Sequence, residues 1–284
     1  MRILLTGHKG QLGQTLMPLL EAEHSVLGID LPEYDITERA TIRSLIHEVR
    51  PDLIINAAAM TDVDGCARNP ALAYRVNGLG TQNLALSAAE VDAALMYIST
   101  NEVFDGAMRE PYHEWHPCHP INAYGRSKLA GEWYTQHLLQ RFYIVRTAWL
   151  FAPGGRNFPH RIISLADQRG ALRVVTDEVA NPTYAPDLAR ALVKLIETQA
   201  YGIYHLVNEG EASRFEFAQA LLRQSGREDI PLTPITSDAF ERASTPPPYA
   251  PLANNAAAAL GIRLRPWEEA VGDFIHAAGY QRAP

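Results

Sequence analysis

Cysteine is nearly absent: Cys66 and Cys118 are the only two in 284 residues, and no CxxC spacing joins them. That excludes a disulfide framework and a thiolate zinc site, leaving two reduced thiols of a cytoplasmic protein as the expectation. Excess positive charge is missing too. The net charge of -7 repels nucleic-acid phosphates and anionic membrane surfaces, so neither is an expected partner. No apolar run approaches the roughly 20 residues of a membrane span. Met1-Arg2 passes straight into a strand pattern, with no room for the apolar segment of a signal peptide. Internal repeats and low-complexity tracts are lacking. What remains is an ordinary soluble composition, 47% apolar and 20% charged, with chain enough for one large or two modest domains.

Short β-rich segments at 2–6, 25–29, 53–57, 94–99 and 142–147 alternate with helical patterns. This alternation predicts an α/β fold, a doubly wound parallel sheet of Rossmann type with helices on both faces. The continuous apolar run Leu53-Ile54-Ile55 suits a strand buried on both sides. Asn69-Pro70 reads as an N-cap and first-turn proline opening a helix to about residue 89. After Trp149 the rhythm loosens. Segments 172–176 and 203–207 are candidates to extend the sheet, while 157–169 and 215–224 read as helices of a smaller interleaved lobe. The predicted division is a dinucleotide-binding domain of 1–148 with about 177–207, and a substrate domain of about 149–176 with 208–284. Thr245-Pro246-Pro247-Pro248-Tyr249-Ala250-Pro251 cannot be helical and reads as a stiff loop.

The most informative stretch is Gly7-His8-Lys9-Gly10-Gln11-Leu12-Gly13, which closes the first strand and opens an amphipathic helix to about Glu21. Glycines there let the backbone turn sharply and approach a pyrophosphate, with the free amides of the helix start facing the anion. A dinucleotide is the ligand this order predicts; an ordinary tight turn between strand and helix would use the same glycines. Asp30 follows the second strand, 17 residues after Gly13, where a carboxylate accepts hydrogen bonds from a ribose and repels a 2′-phosphate. That favours NAD(H) over NADP(H); a loop aspartate before Pro32 is the plainer alternative. Asp35 and Ile36 are placed to hold the adenine, or Asp35 to cap the next helix. Ala57, Ala58 and Ala59 end the third strand with small side chains against which a cofactor can lie, or which merely ease packing.

Tyr124 and Lys128 stand four apart, so a helix projects both from one face. A phenol is a poor acid or base at neutral pH, but a lysine cation beside it, with oxidised nicotinamide nearby, stabilises the phenolate and draws its pKa down. Thr100, just past the fourth strand, can hydrogen-bond a carbonyl oxygen. Together these residues suit reduction of a ketone by hydride from a nicotinamide, with Tyr124 protonating the oxygen. The tyrosine and lysine alone are a weak signal; the order of glycine turn, Thr100, Tyr124 and Lys128 carries the specificity.

With these residues the chain resembles the extended short-chain dehydrogenase/reductase superfamily and, within it, the dTDP-4-dehydrorhamnose reductase family. The matching stretches run from the glycine turn through Asn56-Ala57-Ala58-Ala59, Ser99-Thr100-Asn101-Glu102-Val103-Phe104-Asp105-Gly106, Tyr124-Gly125-Arg126-Ser127-Lys128-Leu129-Ala130-Gly131-Glu132 and Arg146-Thr147-Ala148-Trp149 to Arg265-Pro266-Trp267. The resemblance implies NAD(H) or NADP(H) as cofactor and a sugar nucleotide as substrate. The implied reaction is reduction of the 4-keto group of dTDP-4-dehydro-L-rhamnose to dTDP-L-rhamnose, for polysaccharide synthesis. It makes Thr100, Tyr124 and Lys128 the catalytic set. Cofactor contacts would come from Gly7, Gly10, Gln11, Leu12, Gly13, Ser99, Tyr124 and Lys128, and the substrate would be lined by Val103, Phe104, Trp149, Asn157, Phe158, Pro182 and Thr183.

The chain also departs from that family. Asn101-Glu102 stands where members usually carry aspartate-tyrosine, and Ala180 where they carry glycine, which bears on the identity of the sugar. Thr100-Asn101-Glu102 also resembles the threonine-aspartate-glutamate of sugar nucleotide 4,6-dehydratases. Yet an amide at 101 cannot protonate a departing hydroxyl. Dehydratase, epimerase and non-catalytic nucleotide-binding subunit remain the alternatives, as monomer or homodimer. His113, Glu114, His116, Cys118 and His119 form the single metal-like cluster, but Pro117 interrupts it and its spacing matches no zinc pattern, so no metal is expected.

Overall fold

The computed structural model describes residues 1–155, 157–239 and 241–282. The strands among them are β1 Arg2–Thr6, β2 Ser25–Ile29, β3 Leu53–Asn56, β4 Ala94–Thr100, β5 Phe142–Thr147, β6 Leu150–Phe151, β7 Leu172–Val175, β8 Val179–Ala180, β9 Thr183–Tyr184, β10 Gly202–His205, β11 Ala212–Ser213 and β12 Leu232–Ile235. Six form a parallel sheet in the order β10-β5-β4-β3-β1-β2. The winding reverses between β1 and β3, and open α/β sheets bind ligands at that reversal, beyond the carboxyl ends of the strands.

Period-two alternation decides which side chain enters which core. Leu5, Ile55 and Met96 face one way, onto Leu188, Leu192 and Leu195 of the helix Ala185–Thr198. Leu4, Ile54 and Leu95 face the other, onto Ile42 and Ile46 of the helix Arg39–Val49 and Leu84 of the helix Thr81–Val91. A separate core holds the lobe together: Phe151, Ile162, Phe217, Leu221, Trp267 and Phe274. The two bodies interleave along the chain, since Ala257, Ile262 and Leu264 pack into the first core.

Three local expectations are revised. Residues 172–175 form a strand, but β7 pairs with β12 and not with the central sheet, because the intervening chain has already crossed into the lobe. The last sheet strand begins at Gly202 rather than Ile203 and ends at His205, in register with β5. Asn69 does cap a helix, accepting from Leu72 N at 3.1 Å, yet the α-helix Pro70–Ala73 widens into a π-helical segment, Tyr74–Gly80, before resuming at Thr81. The widened turn carries Asn77, buried at 1% exposure, against the catalytic helix.

Candidate active site

Register places the site. Thr6 of β1 lies level with Asn56 of β3, and Asn56 level with Tyr97 of β4, so β4 runs three residues further, to Thr100 beside Thr147 of β5. Only β3 separates that protruding end from β1, which ends in the glycine turn. Gly7 has φ +72°, and a Cβ there would meet Ala58 N at 2.6 Å, so only glycine brings the turn this close to the end of β3. Gly13 packs its missing side chain directly onto Gly7 O. No side chain caps the helix Gln11–Glu21, which leaves its first amides as an anion cradle. Gln11 Oε1 accepts from Asn157 Nδ2 at 2.8 Å, which ties the lobe to the turn, while Leu12 is a core residue.

Asp30 closes this cradle from β2. Its carboxylate accepts from the backbone amides of Lys9 and Leu31 at 2.9 and 2.8 Å, so it holds the turn. Asp35 Oδ1 accepts from Thr37 N at 2.8 Å in a local turn and does not cap the helix Arg39–Val49, whose N-cap is Glu38, and Ile36 is buried in the second core.

The helix Ala123–Leu138 carries Tyr124 and Lys128. Asn122 caps it, accepting from Gly125 N at 2.8 Å, and its amide donates to Glu102 Oε2 at 2.7 Å. Gly125 makes this approach possible, since a Cβ there would lie 2.0 Å from Glu102 O. Lys128 is only 2% exposed. Its Nζ donates to Ile98 O at 2.6 Å and lies 4.2 Å from the Tyr97 ring centroid. Burial pulls its pKa down to about 7, against the opposing pull of Glu132 and Cys66.

In the chain alone, burial, reinforced by the nearby Glu102 charge, pushes the Tyr124 phenol well above the ordinary range, and the Thr100 hydroxyl only partly offsets this. Desolvation disfavours the anion. The phenol is therefore held in its protonated form, the form a proton donor needs.

Lys128 makes stability depend on pH in a testable way. Unfolded, the amine keeps its proton up to 10.5; folded, only up to about 7. Unfolding therefore takes up a proton between those values, and stability rises with pH across the window. Relative to Lys128→Met, the native chain is expected to gain on the order of 4 kcal/mol between pH 7 and pH 10. Urea unfolding of both proteins across that range checks it; a constant difference would mean that the amine titrates normally.

Several expected contacts turn out to be structural. Ser99 Oγ donates to Glu132 Oε1 at 2.6 Å, so its hydroxyl points away from the cleft. Val103 and Phe104 are fully buried, with Phe104 stacked on Tyr112 at 4.2 Å. Pro182 and Thr183 are also buried, Thr183 pairing with Leu150 across β9 and β6. Asn157 caps the helix Phe158–Arg169. Trp149, in the left-handed region at φ +42°, has one face covered by Arg214. The histidine loop is tied up elsewhere: His113 stacks on Trp115, and Glu114 Oε1 accepts from Ala256 N at 2.9 Å. Among the described residues no group of three or more metal-binding side chains converges.

Four supports escaped the sequence reading. Asn77 brackets Met60 through N–H and C=O contacts of 2.8 and 3.0 Å and reaches Ser127 Oγ at 2.9 Å. Glu132 and Arg146 form a buried bidentate pair behind Ser99. Asn122 links the helix start to Glu102. Arg214, Glu178 and Arg242 line the lobe side. Glu132 and Arg146 lay within recognised stretches, so their positions were a signal; nothing local marks the others.

Fold and site together are those of the short-chain dehydrogenase/reductase class of nicotinamide-dependent oxidoreductases. The family described as RmlD substrate binding domain matches residues 1–279. The spore coat polysaccharide biosynthesis protein SpsK of Bacillus subtilis is 36% identical over 275 residues, 96% of each chain. The dTDP-4-dehydrorhamnose reductase of Mycolicibacterium smegmatis is 38% identical over 281 residues, 97% of this chain and 85% of that one. The solved structure of the dTDP-4-dehydrorhamnose reductase of Bacillus anthracis, in complex with NADP, superposes with a TM-score of 0.94 at 37% identity, over 97% of this chain and 98% of that one. The chain belongs to the dTDP-4-dehydrorhamnose reductase family.

Proposed function

We propose that this enzyme reduces the 4-keto group of a nucleotide-linked sugar, dTDP-4-dehydro-L-rhamnose, to give dTDP-L-rhamnose. The observation that carries this reading is that Thr100, at the protruding end of β4, reaches Tyr124, which shares one helix with Lys128, in the same sheet whose β1 ends in the glycine turn. Gly7, Gly10 and Gly13 with the uncapped helix start would hold the pyrophosphate of a nicotinamide dinucleotide, Asp30 its ribose, and Ala57 to Ala59 its near face. Bound there, the nicotinamide supplies the hydride.

The remaining chemistry belongs to the chain. Thr100 Oγ1, 3.3 Å from Asn101 Oδ1, can redirect its proton to a carbonyl oxygen and hold it. Tyr124, kept protonated by its surroundings, passes its proton to that oxygen as negative charge develops there. The phenolate left behind is stabilised by Lys128. Asn101 has no acid to offer a leaving hydroxyl, and its amide is spent on Ala250 O at 3.1 Å, which supports reduction over water elimination.

The test is an assay with enzymatically generated dTDP-4-dehydrorhamnose and either NADH or NADPH. One reduced cofactor should disappear per ketone, and Asp30 predicts NADH to serve at least as well as NADPH. Product without net cofactor oxidation would reject the reductase reading, and a strong NADPH preference would reject the role given to Asp30.

A further inference from the structure

Arg214 begins the helix Arg214–Gln224, and its backbone is fixed there by a capping box: Ser213 Oγ accepts from Glu216 N at 3.1 Å while Glu216 Oε2 accepts from Ser213 N at 2.7 Å. From that anchored start the side chain lies flat on aromatic rings, its guanidinium carbon 3.5 Å from the Trp149 centroid and 5.0 Å from that of Phe158. The arrangement leaves the charge poorly matched. Glu178 is the carboxylate paired with it, and Arg214 Nε lies 3.7 Å from Glu178 Oε2, beyond hydrogen-bond reach. The other oxygen of Glu178 is taken by Arg242 Nη1 at 2.9 Å. Burial lowers its pKa to about 10 against the pull of Glu178 and Glu102, so beyond the loose Glu178 contact the charge is under-compensated, although its side chain is only 23% exposed. Its five donors thus remain in a plane held by stacking, the geometry that suits bidentate capture of phosphate oxygens.

Its place relative to the chemistry is set by Glu102. That carboxyl is bound to Asn122, raises the Tyr124 phenol and feels the charges of Arg214 and Arg242, so it lies between the catalytic tyrosine and the lobe. A pyranose whose C4 carbonyl meets Thr100 and Tyr124 directs C1, on the opposite side of the ring, away from them and toward the lobe. We propose that Arg214, braced on Trp149 and Phe158, grips the diphosphate of the sugar nucleotide and thereby sets the demand for a diphosphate-linked substrate. This rests on the sugar nucleotide reading above. It also accounts for the Trp149 backbone, whose left-handed conformation presents the ring face that Arg214 occupies.

The experiment measures the affinities of dTDP, thymidine and NADPH by calorimetry for the wild type, Arg214→Gln and Arg214→Lys. Arg214→Gln is expected to weaken dTDP roughly 10- to 100-fold, the worth of a charge-assisted hydrogen bond or two, with thymidine and NADPH within about twofold of wild type. Arg214→Lys, which keeps the charge but not the planar fork, should fall between. In turnover the same loss should appear in KM for the sugar nucleotide with little change in kcat. Unchanged dTDP affinity in Arg214→Gln overturns the proposal and leaves the sugar nucleotide reading standing. Equal weakening of thymidine and dTDP also overturns it, since that marks loss of the platform rather than of a phosphate grip. A wild type that binds NADPH but not dTDP removes the substrate reading itself, and the proposal with it.

Discussion

Tyr124→Phe is expected to lower ketone reduction by at least about a hundredfold, the usual contribution of a positioned acid–base group, while cofactor affinity stays near that of the wild type. The reason for the split is that the substitution removes one oxygen and nothing that holds the fold. The Tyr124 hydroxyl contacts the Thr100 hydroxyl, not a group that holds the helix in place, and its backbone carbonyl, which accepts from Ser127 Oγ at 2.7 Å, is retained. The helix, its Asn122 cap and Lys128 therefore keep their places. Steady-state kinetics with either reduced cofactor, beside a fluorescence titration of cofactor binding, separates the two effects. Equal turnover in mutant and wild type would rule out Tyr124 as the proton donor. Equal loss of cofactor affinity and turnover would show instead that the phenol serves binding.

Glu132→Gln is expected to cost about 3–5 kcal/mol of folding stability, the price of leaving a buried charge without its partner. Glu132 is 0% and Arg146 3% exposed. The carboxylate accepts from Arg146 Nε at 2.9 Å and Nη2 at 2.7 Å, and from Ser99 Oγ at 2.6 Å. An amide can accept from the guanidinium at only one of its two ends and cannot balance its charge. Against a total stability of about 5–15 kcal/mol for a typical domain, such a loss brings the protein near unfolding. It should also reach the site, because Ser99 and Arg146 are register partners in β4 and β5, one residue before Thr100 and Thr147. Urea unfolding measures the first effect. Replacing both members together, Glu132→Leu with Arg146→Met, is expected to recover much of the stability, since well-packed apolar pairs often replace buried ion pairs at little cost. A single-mutant loss under about 1 kcal/mol would mean that water or another anion reaches Arg146.

Legibility from the sequence followed distance along the chain. The glycine turn could be read because strand, turn and helix are contiguous and each has a local signature. The shared face of Tyr124 and Lys128 follows from a four-residue spacing, and the first five strands were found from alternation and apolar runs. The small lobe was harder. β7 looks like any sheet strand, and only its pairing with β12, some 60 residues later, takes it out of the central sheet. The burial of Val103, Phe104, Pro182 and Thr183 was not legible for a related reason: proximity in sequence to a site residue does not say which way a side chain faces.

The sequence alone therefore determined the doubly wound class, the nucleotide turn and the order of Thr100, Tyr124 and Lys128, all of which rest on short-range geometry and backbone permissiveness. Only the tertiary structure decided that Arg214 stacks on Trp149, that Glu132 and Arg146 neutralise each other behind β4, and that Asn122 holds Glu102 beside the phenol. It also set the burial and the Glu102 charge that raise the Tyr124 phenol in the chain alone. A pKa sums desolvation and every nearby charge, and those come from segments far apart in the chain that only folding brings within a few ångströms of one another.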